Sequence, residues 1–158
     1  MEVASIFGEH PFIWRSLRFA VSIALVIVLS QAIKIRAQVA PGRQQVWVGL
    51  TTSPQDLTII KNRYSALIAG SSSLERVLRN LGVDTILIAG TKTNVCCEAT
   101  ARDAMMLDFK VVMVSDCCAA LSDDEHRASL ETIIQQFGDV LTGEEVFARL
   151  DGRSNLSR

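Results

Sequence analysis

The sequence predicts an α/β fold: a parallel sheet whose strands are joined by crossover helices. Three observations carry that reading. From Leu57 onward, short apolar runs alternate with segments of helical periodicity. Thr85 to Ala89 is a continuous apolar run, the pattern of a central strand covered on both faces. Three capping-box pairs, Ser72/Glu75, Ser122/Glu125 and Thr142/Glu145, mark where helices begin.

In chain order, Leu57 to Ile60 reads as the end of a strand. After Ser72, the residues Leu74, Val77, Leu78 and Leu81 share one helical stripe, and Gly82 stops the helix. Thr85 to Ala89 follows as a strand that Gly90 breaks into a loop, and the next helix opens near Asn94. Its small residues Ala99, Thr100, Ala101 and Ala104 allow a close approach to the sheet, and Glu98 and Arg102 stand at i,i+4. Lys110 to Ser115 is the next strand. The helices from Ser122 and Thr142 run to about Phe137 and Leu150.

Residues 1 to 50 do not join this rhythm, so the domain is expected over residues 51 to 151, followed by a polar tail at 152 to 158. Within the first segment, residues 19 to 33 carry no charge and are flanked by Arg15, Arg18, Lys34 and Arg36. Crossing a bilayer as a helix takes about 20 apolar residues. This run is shorter and contains Ser22, Ser30 and Gln31. A buried element is favoured, and membrane association stays open as the alternative.

The chain has 158 residues and a formal charge of −1. With only four lysines and no run of like charges, it offers no electrostatic footprint for nucleic acid. The four cysteines form two adjacent pairs, Cys96-Cys97 and Cys117-Cys118, and lack zinc-ligand spacing. Neighbouring cysteines bridge poorly, so four reduced thiols in the cytoplasm are expected, with no metal and no cofactor.

Chemistry concentrates at Cys96. It falls in the first turn of a helix that follows a central strand, at the carboxyl edge where open α/β sheets bind ligands. A helix N-terminus favours a thiolate, and its free N–H groups can receive an oxyanion. His126, in the first turn after Ser122, reads as a surface or capping residue. Cys97 reads as packing. Cys117 and Cys118 are expected to line the turn after Asp116.

Asp56-Leu-Thr-Ile-Ile-Lys61-Asn-Arg-Tyr-Ser65, Leu81-Gly-Val-Asp-Thr-Ile-Leu-Ile-Ala-Gly-Thr91 and Thr93-Asn-Val-Cys-Cys-Glu-Ala-Thr-Ala-Arg-Asp-Ala104 resemble the isochorismatase-like cysteine hydrolases. The likeness continues through Val114-Ser-Asp116, Leu121-Ser-Asp-Asp-Glu-His126 and Phe137-Gly-Asp-Val140, covering about Asp56 to Leu150. It implies a three-layer, Rossmann-like arrangement with helices on both faces of the sheet. It also implies an Asp-Lys-Cys triad acting on small amides, ureido groups or, in some members, an enol ether, in a homo-oligomer. The nucleophile would be Cys96 and the lysine Lys61. A non-proline cis peptide would fall at Thr91-Lys92, with the N–H groups of Lys92 and Cys96 as the oxyanion hole. Tyr64 and Ser65 could border the substrate pocket or simply pack.

One departure stands out. The family's aspartate ends the first strand in an Asp-x-Gln pattern, and no aspartate precedes Asp56 here. Laying Ala24 to Gln31 on that strand puts Leu29 at the aspartate position, but leaves few residues before Lys61 for the usual helix and strand. The favoured expectation is that the N-terminal third is not the family's own, through truncation, a changed reading frame or divergence. A catalytically inactive homologue is therefore the rival to a working hydrolase.

Overall fold

A computed structural model describes residues 56–150 and the backbone of residues 23–28. His10, Trp14, Leu29, Trp47, the rest of the 1 to 50 and 19 to 33 segments, and the tail at 152 to 158 lie outside the described residues.

The element order is β1 (Ile23–Val28), α1 (Leu74–Asn80), β2 (Thr85–Thr91), a π-helical turn (Thr93–Cys97) running into α2 (Glu98–Met106), β3 (Lys110–Ala119), α3 (Asp123–Gln136), β4 (Asp139–Leu141) and α4 (Gly143–Leu150). Among the described residues the four strands are parallel, in the order β1-β2-β3-β4. The expected α/β architecture is what the chain adopts.

Side-chain alternation along β2 builds the layers. Ile86 and Ile88 face a core with Val111, Met113, Leu78 of α1, Ala101 and Ala104 of α2, and Ile133 of α3. Leu87 and Ala89 face the opposite core, with Val114, Leu141 and Val146 of α4. Ile86, Ile88, Met113 and Ile133 are fully buried. Each such side chain contributes about 1.5–3 kcal/mol by leaving water. Of the small residues predicted to bring α2 close to the sheet, Thr100, Ala101 and Ala104 are fully buried, and Ala99 is half-buried.

Both α1 and α2 end in the same motif. Gly82 N–H donates to Arg79 O and Val83 N–H to Leu78 O, with Gly82 at φ 68°. Asp108 N–H donates to Met105 O and Phe109 N–H to Ala104 O, with Asp108 at φ 63°. These left-handed residues reverse the chain and satisfy the last carbonyls of each helix.

Several expectations need correction. Leu57 to Ile60 is not a strand: no described strand pairs with it, and Leu57 and Ile60 are 67% and 62% exposed. Gly90 does not break β2, because it pairs with Val28 on one side and Cys118 on the other. Cys117 and Cys118 lie inside β3, not on a turn after it. The cause is a register irregularity: from the Ile88↔Met113 pair to the Gly90↔Cys118 pair, β3 advances five residues while β2 advances two. The Ser72/Glu75 box does not form either. Ser72 Oγ accepts from Leu74 N–H and donates to Ala66 O, while Glu75 pairs with Arg79. Thr142 and Glu145 do cap reciprocally, at 3.2 and 2.8 Å.

Gly138 sits where α3 turns into β4. A Cβ there would lie 2.5 Å from Val111 O and 2.8 Å from Val111 Cβ, both on a central strand that cannot retreat. Gly138→Ala is expected to destabilise the fold by about 1–3 kcal/mol, read as a lower urea midpoint. An unchanged midpoint would contradict this packing.

Candidate active site

The site is assembled at the carboxyl end of β2, the strand flanked by β1 and β3. After Thr91 the Thr91–Lys92 peptide is cis. Lys92 is extended, and its carbonyl accepts from the N–H groups of Val95 and Cys97, both at 3.2 Å. A π-helical turn is wider than an α turn and is frequent at functional sites. Cys96 lies in it, 3% exposed, with Cys97 fully buried beneath.

The loop bearing Lys61 packs against this turn. Asn62 N–H donates to Ser71 O at 3.1 Å, and Ser65 Oγ accepts from the N–H groups of Leu67 and Ile68. Ser71 Oγ donates to Ser65 O. Ser65 is therefore a buried pin of its own loop, whereas Tyr64 is 57% exposed. Lys61 Nζ donates to the carbonyls of Arg63 and Tyr64, at 2.9 and 3.1 Å. One side chain ties the loop to the cysteine turn: Thr100 Oγ1 accepts from Ala66 N–H at 3.1 Å and donates to Cys96 O at 2.7 Å.

The start of α3 holds the turn from the other side. Thr93 Oγ1 and His126 Nδ1 are 2.8 Å apart, and Asn94 Nδ2 donates to Glu125 Oε2 at 3.2 Å. Ser129 Oγ donates to Glu98 Oε2 at 2.6 Å, and Glu98 also pairs with Arg102. His126 is half-buried against the turn, not a surface or capping residue. Ser122 caps α3 by accepting from Glu125 N–H, but the Glu125 carboxylate reaches across to Asn94 instead of closing a box. Sequence reading missed this clamp and the Thr100 bridge. The contacts join residues 31 to 34 positions apart, and only Glu125 at the third helical position hinted at a shared role.

The thiols differ in their surroundings. A hydrogen bond with the Cys118 thiol, then burial, pushes the Cys97 thiol up, while the Lys61 charge opposes this. Burial first, and the Asp116 charge second, push Cys117 up to about 12 from an ordinary value near 9. A folded thiol raised in this way adds stability that is present below the unfolded value and lost as pH climbs toward the folded one. Urea midpoints should therefore fall more steeply from pH 9 upward in the native chain than in Cys117→Ala. Parallel pH profiles would refute the shift. Among the described residues, no cluster of three or more His, Cys, Asp or Glu side chains could hold a metal.

Fold and site together define an α/β domain with a buried cysteine turn at the carboxyl edge of a central strand. Residues 35–145 match the isochorismatase domain model, so the chain belongs to the isochorismatase family. It is 37% identical over 107 residues to enterobactin synthase component B of Escherichia coli K12, covering 68% of this chain and 37% of that protein. It is 33% identical over 98 residues to maleamate amidohydrolase of Pseudomonas putida, covering 62% and 46%. Among solved structures, a cysteine hydrolase from Pseudomonas syringae pv. phaseolicola superposes with a TM-score of 0.63 at 37% identity, covering 68% of this chain and 55% of that one. The chain thus spans about 37% to 46% of the length of these two curated relatives. Among the described residues, no helix is long and apolar enough to cross a membrane.

Proposed function

We propose that the chain is a cysteine hydrolase of small amides or ureido compounds, with Cys96 as nucleophile and Lys61 as its cationic partner. The observation that carries this reading is the placement of Cys96 in the first turn after β2, hydrogen-bonded through Thr100 to the loop that bears Lys61. The relatives' names supply the substrate class, since one is an amidohydrolase. An ammonium near a thiol favours the thiolate, and N–H groups of a helical first turn lack intrahelical partners.

In the proposed reaction, the Cys96 Sγ thiolate attacks the substrate carbonyl carbon. The carbonyl oxygen takes the negative charge and is received by the N–H groups of Lys92 and Cys96. Collapse breaks the C–N bond and leaves a thioester on Cys96, while the nitrogen leaves as the amine on taking, through water, the proton that the Cys96 thiol gave up. Water then hydrolyses the thioester, giving the carboxylate product and the free thiol. Tyr64, exposed on the loop that bears Lys61, is proposed to border the substrate pocket. No cofactor enters this chemistry. By the same family likeness the chain works as a cytoplasmic homo-oligomer, which light scattering tests.

The second reading, an inactive homologue, is favoured by one observation: no aspartate precedes Asp56 to take the family's proton-transfer role. Ammonia release from millimolar primary amides and ureido compounds separates the two. Release above the uncatalysed rate supports the hydrolase, and none from any of them supports the inactive homologue.

A further inference from the structure

Thr100 lies on α2 one turn beyond Cys96 and is fully buried, so a hydroxyl there must be satisfied internally. Both of its hydrogen bonds lead to the site: it accepts from Ala66 in the Lys61 loop and donates to the carbonyl of Cys96. The loop is otherwise braced by its own serines, Ser65, Ser71 and Ser72. Lys61 Nζ is bound to carbonyls of that same loop, at Arg63 and Tyr64. The ammonium is therefore tied to the loop, and the buried Thr100 oxygen hydrogen-bonds that loop to the cysteine turn, beside the packing of Leu67 in the core that holds Cys96.

Resting on the cysteine-hydrolase reading above, we infer that Thr100 is a positioning residue: its hydroxyl fixes the Lys61 loop on the Cys96 turn, so that the lysine charge acts on the nucleophile. Thr100→Val keeps the shape and removes both hydrogen bonds. Thr100→Ser keeps both and removes only a methyl group. A general packing role would make serine and valine comparable or serine worse; a hydroxyl role makes serine the competent one.

The test is a double-mutant cycle on the folded full chain, reading the iodoacetamide alkylation rate of Cys96 at pH 7 by peptide mass spectrometry. With Thr100 present, Lys61→Met is expected to slow alkylation about tenfold. In the Thr100→Val background, the same change should alter the rate less than about twofold, the loss of coupling that marks a shared interaction. In Thr100→Ser, the tenfold dependence on Lys61 should return. A tenfold effect of Lys61→Met persisting in Thr100→Val would overturn the inference while leaving the cysteine reading intact. Loss of that effect in Thr100→Ser would overturn it too, and needs no valine variant to fold. If Lys61→Met changes nothing with Thr100 present, the lysine-activated nucleophile fails, and the inference with it.

Discussion

Cys96→Ser is expected to lower amide hydrolysis by on the order of 10³-fold, with little change in KM. A serine hydroxyl occupies nearly the same space, so the turn and its hydrogen bonds to Lys92 O persist. What is lost, on the proposed mechanism, is the sulfur nucleophile. An ammonium and a helical first turn stabilise an anion that a thiol can form near neutrality, but they cannot generate an alkoxide. Removing a group that acts in the reacting step lowers kcat and leaves ground-state binding alone. Cys97→Ala is the control, because Cys97 packs in the core against Ile86 and Ile88 and its thiol is turned to Cys118. Equal losses in the two variants would show that packing, not nucleophilicity, was removed.

If β1 stands in for the family's first strand, against the favoured reading that the N-terminal third is not the family's own, Leu29→Asp is expected to raise turnover on the order of 10²-fold, the low end of what a positioned general acid/base contributes. Leu29 itself lies outside the described residues, so the expectation rests on chain position. The strand β1 runs parallel to β2, and its last residue, Val28, stands opposite Gly90, two positions before Lys92. The next residue in the chain is Leu29, which one alignment of Ala24 to Gln31 on the family's first strand would put at the aspartate position. On that alignment a carboxylate there would supply a proton carrier for the departing amine. A gain accompanied by a new acidic limb in the pH–rate profile would show that carboxylate at work. No gain, in a variant that remains folded, would mean that β1 does not stand in for the family's first strand.

The fold was legible because its signals are local. The Thr85 to Ala89 run became the central strand, and the small residues of α2 became the face on the sheet. Cys96 could be placed in the first turn of a helix from the glycine, the strand and the small residues around it. Other features were hidden for reasons of range. Leu57 to Ile60 has the composition of a strand, yet strand formation needs a partner, and none of the described strands pairs with it. The length of β3 depends on a register irregularity opposite Ala89, which no period-two pattern encodes. His126, Glu125 and Ser129 look like residues of an ordinary capped helix until the fold brings that helix onto the cysteine turn. Their roles exist only in the tertiary structure.

That Cys96 forms a covalent acyl intermediate is tested most directly by acid-quenching the chain during turnover of an activated small amide and weighing its peptides. The expected result is a mass gain equal to the acyl group on the peptide holding Cys96, absent in Cys96→Ser and discharged by hydroxylamine. Turnover with no acyl mass on that peptide, or with the same rate in Cys96→Ser, would contradict it.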